Sequence, residues 1–534
     1  MPPAWTQNYD PLGSPILSTF VAALPVLSLF YLLAVRKMIA WKAAVCSFLL
    51  AILLALVFCR MPAPMVGATV VHGFAYAAIR IIWVLLSAVF VYEVTVASGH
   101  FSTIKSSIGN ITDDRRLQIL LVAYAFGAIL EGAGGGGAPV AICGAMMVGL
   151  GFKPFESAVL CLIANTAPVA FGGMGNPIRT LVAVTGLPEA DLSATVGRIL
   201  PWTAILLPFW LIRTYTTTAG TLAVWPGLAA CGLGFGAIQF FWSNYMDAAL
   251  VDIIGGMGTL VWLAVFFRFW RPGAAPPIGW KKVLHAWSPF LLLAVLVVAW
   301  GLPWFKPAIE STSYRIPVPG LHNLVQRTPP VVAAAHTEPA VFDIAWLASV
   351  GTPTFLAGLL SGPILGLTLR RTLAIFAATC VKMRFSMLAI LAMLGLGYLT
   401  RYSGMDAILG LALANTGWLF PFFGTMIGWL GVALTGTDAG SNALFGSLQV
   451  ITANKLGLSP VLMASANSAG GVMGKMIDAQ SIIVACAATG LDRREGDLFR
   501  AVLWHSVALA VIVGLIVMAY AYWFPQWIPA GRSF

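Results

Sequence analysis

The chain has 534 residues, 59% of them hydrophobic and only 9% charged, with a formal net charge of +11. Soluble domains carry roughly a quarter charged residues, so this composition excludes a protein that turns its whole surface to water. The basic residues sit in short clusters between apolar runs, without a basic stripe interleaved with aromatics, which excludes nucleic-acid binding.

A spanning helix needs about 20 apolar residues. In chain order the apolar runs are 15–35, 43–59, 81–98, 194–212, 222–241, 284–301, 343–367, 386–400, 407–431 and 501–523, with a weaker run at 65–80 that adjoins the third. Two Gly-rich apolar regions, 118–177 and 432–490, do not divide into clean spans. The expectation is an all-α polytopic membrane protein, a single transport domain over residues 1–534. It should have about 12–14 membrane segments, with two inverted repeats containing broken helices or re-entrant hairpins.

The basic clusters set the topology under the positive-inside rule. They place the segments near 36–42, 102–116, 268–282, 370–384 and 491–500 in the cytoplasm. Residues 1–15 carry no Lys or Arg, so the first run reads as an uncleaved span with the N-terminus outside. The Pro-rich loop 302–342, of mixed charge, is then also external. The seven cysteines lie in apolar stretches without a Cys-x-x-Cys pair, which gives neither a disulfide framework nor a zinc site.

The two awkward regions share an order of motifs. The first runs from Glu131 through Gly134–Gly137 and Pro139 to Leu150-Gly151-Phe152-Lys153-Pro154, then Ala164-Asn165-Thr166-Ala167 and Gly173-Met174-Gly175. The second runs from Asp438 through Gly440-Ser441-Asn442 to Leu456-Gly457-Leu458-Ser459-Pro460, then Ala466-Asn467-Ser468-Ala469 and Val472-Met473-Gly474. Paired interruptions in two halves of a transporter point to its binding site.

Glycine and proline release backbone groups that hydrocarbon cannot satisfy, so such breaks survive only inside protein or beside a cavity. Each break leaves a half-helix N-terminus with free N–H donors suited to a carboxylate. Gly136 and Gly137 at the first break, with Ser441 and Asn442 after the second, are therefore candidate substrate contacts. Asn165, Thr166, Asn467 and Ser468 supply neutral donors and acceptors for a carboxylate and a hydroxyl.

Charge inside a membrane segment demands a role. Glu131 and Asp438 hold near-equivalent places and are the candidate proton-coupling residues. Lys475 is a candidate for substrate binding, or for pairing with Asp438 or Asp478. Arg179 is a weaker analogue. Asp247 and Asp252 read as local caps or pairs. No catalytic, metal-binding or cofactor motif appears in a supporting context.

Several stretches resemble the L-lactate permease family. They are Trp5-Thr6-Gln7-Asn8-Tyr9-Asp10-Pro11-Leu12-Gly13, Glu131-Gly132 with Ala138-Pro139-Val140-Ala141-Ile142, and Ala164-Asn165-Thr166-Ala167-Pro168-Val169-Ala170-Phe171-Gly172. Ser441-Asn442-Ala443-Leu444-Phe445-Gly446 and the run from Ala466 through Gly474-Lys475-Met476-Ile477 to Gln480-Ser481-Ile482 complete the set. The resemblance implies a bacterial inner-membrane carrier that takes up L-lactate, D-lactate and glycolate with protons. Two places depart from the family pattern: four consecutive glycines stand where an aromatic is expected within the run, and Asp478-Ala479 stands where Ser-Pro is expected. A sodium-coupled carrier, or one for another carboxylate, is the alternative on the same architecture. The implied partners are a small carboxylate, protons and membrane lipid.

Overall fold

The computed structural model describes residues 4–32, 36, 38–135, 137–270, 279–301, 305–332, 334–491 and 494–529. Gly136, one of the expected substrate contacts, lies outside the described residues.

The described chain is built from helices. The N-terminal group is α1 (Pro15–Phe30), α2 (Ala40–Val57), α3 (Ala63–Tyr76), α4 (Trp83–Ala97) and α5 (Phe101–Gly109). The first repeat comprises α6 (Arg115–Ile119), α7 (Gly127–Gly134), α8 (Ala138–Gly149), α9 (Pro154–Ala164) and α10 (Gly172–Thr185). A connecting group follows: α11 (Glu189–Tyr215), α12 (Thr218–Leu222), α13 (Trp225–Tyr245), α14 (Val251–Trp270), α15 (Trp280–Gly301), α16 (Lys306–Glu310), α17 (Gly351–Ile364), α18 (Leu369–Ser403) and α19 (Met405–Leu413). The second repeat is α20 (Phe420–Thr435), α21 (Asp438–Leu456), α22 (Pro460–Gly474) and α23 (Ala479–Thr489), and α24 (Glu495–Tyr522) follows it.

Eight helices among the described residues are long and apolar enough to cross a membrane. The number is ten if two bent pairs each count as one span: α9 with α10, bent by 63°, and α22 with α23, bent by 40°. The shortfall from the expected 12–14 falls partly on shorter apolar helices, Pro15–Leu29, Trp41–Val57 and Pro139–Gly149.

Several spans differ from the sequence expectation. Helix α14 is absent from the expected runs, and the run 343–367 shortens to the 14-residue α17. The weak run at 65–80 joins its neighbour, because a π-helical turn at Ala77–Ile82 carries α3 into α4 without a break. Residues 370–384, expected as a cytoplasmic loop, are the first half of the 35-residue α18. No Gly or Pro interrupts 369–385, and Thr368 caps the helix start by accepting from Arg371 N–H. The run 407–431 divides into α19 and α20 around Gly417, at φ 59°.

The loop before α17 carries short strands: β2 (Tyr314–Pro317), β3 (Val325–Arg327), β4 (His336–Thr337) and β5 (Val341–Ile344). The N-terminal strand β1 (Trp5–Thr6) pairs in parallel with β3, placing Trp5 opposite Val325. The N-terminus and this loop therefore lie on the same side. Arg401 near the end of α18 joins them: its backbone carbonyl accepts from Gln7 at 2.9 Å, and its guanidinium reaches Glu338 at 3.1 Å and the Val184 carbonyl at 3.1 Å.

The two repeats run in opposite directions. The α8–α9 turn lies by Arg115, which donates to the Gly151 carbonyl at 3.0 Å, and by Arg494, which covers the Phe155 ring at the N-terminal end of α24. The start of α22 shares a cleft with Tyr520 and Trp527 at the other end of that helix. A 28-residue helix spans about 42 Å, so the two turns stand on opposite faces of the bundle. The half-helices pack crosswise, α10 on α21 and α8 on α23.

Candidate functional site

Local sequence sets each break. Gly135 and Gly137 take φ of 57° and 87°, in the left-handed region open to glycine, and end α7 before Pro139 starts α8. In the second repeat Gly436, at φ 76°, ends α20, and the Thr437 hydroxyl caps α21 by accepting from Gly440 N–H at 3.0 Å. The break after α22 closes when Asp478 accepts from Ser481 N–H at 2.8 Å and caps α23. The break between α9 and α10 is the longest and runs on into the start of α10, where Gly173, Met174 and Gly175 are all left-handed.

These breaks meet. A methyl group at Gly137 would lie 3.7 Å from Ser481 Oγ, and one at Gly172 would lie 2.7 Å from Glu131 Oε1. Asn442 Nδ2 donates across the repeats to the Pro177 carbonyl at 3.1 Å. Lys475 Nζ donates to the Gly436 carbonyl at 2.6 Å and pairs with Asp478 Oδ2 at 3.1 Å. Of the two pairings open from sequence, Lys475 therefore makes the one with Asp478. Lys475 also lies within electrostatic reach of both Glu131 and Asp438, and those two carboxyl groups of each other.

The polar side chains divide into two sets. One is consumed by the fold. Asn467 Nδ2 donates to Asn442 Oδ1 at 2.9 Å, and Asn467 Oδ1 accepts from Gln449 at 3.2 Å. Ser441 donates to the Gly428 carbonyl at 3.1 Å, Thr166 to the Ile163 carbonyl at 2.8 Å, and Ser468 to Asp438 Oδ2. The other set is buried and makes no hydrogen bond of normal geometry: Glu131 Oε2, both amide atoms of Asn165, Asn176 Oδ1, Asp438 Oδ1 and Ser481 Oγ. Asn165 sits beside Glu131. Buried polar atoms are normally paired because leaving one unmade costs free energy, so this concentration marks where a small polar solute finds partners.

The two asparagines matched in the repeat reading are not equivalent in place. Asn165 stands 11 residues past Pro154 and caps α9 at the break. Asn467 stands only 7 past Pro460, one turn short of it and inside α22. Arg179 is buried and held by Asp247 at 3.2 Å and Glu189 at 3.6 Å. Asp247 also caps its own turn, accepting from Ala249 N–H at 2.7 Å.

Sequence reasoning passed over Gln239 of α13, which donates to the Ala167 carbonyl at 3.2 Å and so holds a backbone group released by the longest break. An amide in an apolar helix was the available signal.

A bundle of apolar spans, two opposed and interrupted hairpins, and a buried polar centre where the interruptions meet define a membrane carrier. The sequence model of the L-lactate permease family matches residues 18–524. The chain is 43% identical to the glycolate permease GlcA of Escherichia coli K12, covering 97% of this chain and 98% of that one. It is 42% identical to the L-lactate permease of the same strain and 38% identical to that of Bacillus subtilis 168, in both cases over 98% of this chain and 100% of the relative. Among solved structures it is similar to the Alcanivorax borkumensis YdaH transporter, with 13% identity and a TM-score of 0.48 over 89% of this chain and 98% of that one. The chain belongs to the L-lactate permease family. It is a multi-pass membrane permease and not an enzyme.

Proposed function

We propose that this permease takes up L-lactate and related 2-hydroxy-monocarboxylates, D-lactate and glycolate among them, in symport with protons. Its membrane is the bacterial inner membrane, with the N-terminus outside. The names of its close relatives support the substrate class. The observation that carries the reading is the buried Asn165 amide turned to Glu131, where the breaks of both repeats meet.

In this reading a substrate carboxylate takes the amide N–H of Asn165, freed backbone N–H groups near Gly137 and the field of Lys475. Ser481 and Asn176 offer partners to the 2-hydroxyl. Glu131 and Asp438 bind the coupling proton, so that a negative substrate and a proton cross together without net charge. Ser441, Asn442, Asn467 and Ser468 hold the second break in shape around that site, and the opposed hairpins present it to each side in turn.

Proteoliposome uptake of labelled L-lactate tests the proposal. An inward proton gradient at fixed sodium should drive accumulation, an uncoupler should abolish it, and Glu131→Gln should lower it by an order of magnitude. Uptake that follows a sodium gradient and ignores the uncoupler would instead establish the sodium-coupled alternative.

A further inference from the structure

Asp252 stands in the first turn of α14, fully buried, with neither carboxyl oxygen engaged in a hydrogen bond. It faces the helix that carries Glu131. A methyl group added at Gly132 would lie 2.8 Å from Asp252 Cβ and 3.0 Å from Ile253 N. A turn further along α14, a methyl group at Gly256 would lie 2.6 Å from the carbonyl of Ala125, in the π-helical segment that leads into α7. Helix α14 is therefore in close contact with α7 at Asp252 and with the adjoining π-helical segment a turn later, with no room for a water layer between them.

Among the described residues the surroundings hold no free counter-charge. Helix α7 brings Glu131, itself an acid, and this is the charged group that acts on Asp252. On α10, Arg179 is committed to Asp247 and Glu189. On the π-helical segment 120–126, Tyr124 donates to the Ala204 carbonyl. Helix α13 contributes the neutral Gln239, Cys231 and, at its far end, Tyr245. Lys281, Lys282 and His285 of α15 lie at that helix's exposed start. An ionised carboxylate left dry and unpaired is strongly disfavoured, and such a group instead takes up a proton.

We propose that Asp252 is a further proton-binding site of the carrier, neutral while α14 is closed on α7 and ionised when that contact opens to water. The proton leaves the carboxyl oxygen for solvent when the helices part and returns before they close. Closure of α7, and with it the placement of Glu131, is thereby conditional on protonation. Asp252 is a positioning residue: it acts through the helix contact and touches no substrate. The proposal rests on the proton-symport reading and deepens it.

The test uses the full-length protein in proteoliposomes, with labelled glycolate uptake measured from pH 5 to pH 9 for wild type, Asp252→Asn and Asp252→Glu. Asparagine mimics the neutral acid but cannot release a proton. It should flatten the pH profile and lower proton-driven uptake by an order of magnitude, while glycolate still raises the melting temperature of the purified variant. Asp252→Glu restores a titrating group and should recover uptake with a displaced pH profile. An Asp252→Asn profile that coincides with wild type overturns the proposal. If that variant does not assemble, an unshifted Asp252→Glu profile overturns it. Wild-type uptake indifferent to the proton gradient would refute the symport reading itself, whatever the variants do.

Discussion

The close contacts of this bundle are made at individual glycines. A methyl group at Gly428 would stand 2.0 Å from the Asn467 carbonyl oxygen, and one at Gly474 would stand 2.2 Å from that of Trp429. Helices α20 and α22 thus touch backbone to backbone, as small residues permit in membrane packing. Forcing atoms into such a contact costs about 1–3 kcal/mol. Gly428→Ala should therefore lower the melting temperature of the detergent-purified protein. Gly67→Ala, on α3 with nothing within 4 Å of its added methyl, should leave it unchanged or raise it. At this scale the sequence was half legible. The glycine and proline runs marked the breaks, and the intramembrane Glu131, Asp438 and Lys475 marked the polar centre. Which polar groups found partners depended on residues far off in the chain: Asn442 turns to Pro177, and Asp252 meets Gly132. No local pattern announces either contact.

At the level of elements, hydropathy found most of the spans, missed α14 and misjudged several ends. Arg370, Arg371, Lys382 and Arg384 suggested a loop, yet long basic side chains can ride on an exposed helix and reach outward. The clamp between the N-terminus, the strand-bearing loop and α18 was not foreseen, because its strands are two to four residues long. Glu338 is its keystone, 3.2 Å from Arg327 and 3.1 Å from Arg401. Burial alone would push the Glu338 pKa up, but the two guanidinium groups and the hydrogen bonds from Arg401 and His336 outweigh it, and the net shift is downward. A carboxyl group with a lowered pKa in the folded state stabilises that state above its unfolded value, about 4.3 for glutamate. The contribution disappears as the pH falls through the lower folded value. Melting temperatures recorded from pH 7 to pH 3 should show wild type losing its stability advantage over Glu338→Gln as the pH falls. The variant should be less stable at pH 7 and flatter below about pH 4.3.

The whole molecule is a pair of opposed repeats whose interruptions share one interior. The repeat was readable as an order of motifs, although its spacing drifted by one helical turn between Asn165 and Asn467. Inversion became plain only when the two hairpin turns were found at opposite ends of α24. A ligand that binds the folded carrier alone stabilises it by about 2.7 kcal/mol at a hundred times its Kd. Across a panel of small carboxylates, L-lactate and glycolate should therefore raise the melting temperature most. Asn165→Ala should erase that rise, and a full shift in the variant would remove Asn165 from the site.

The pairing of β1 with β3 ties together residues 320 positions apart, as in the Thr6–Gln326 contact. At ordinary synthesis speeds of about 5–20 residues per second, the leading strand waits roughly 16–64 s for the ribosome to make its partner. The first spans must enter the bilayer with that end unfastened, and the clasp shuts only after more than half of the polypeptide has been threaded through.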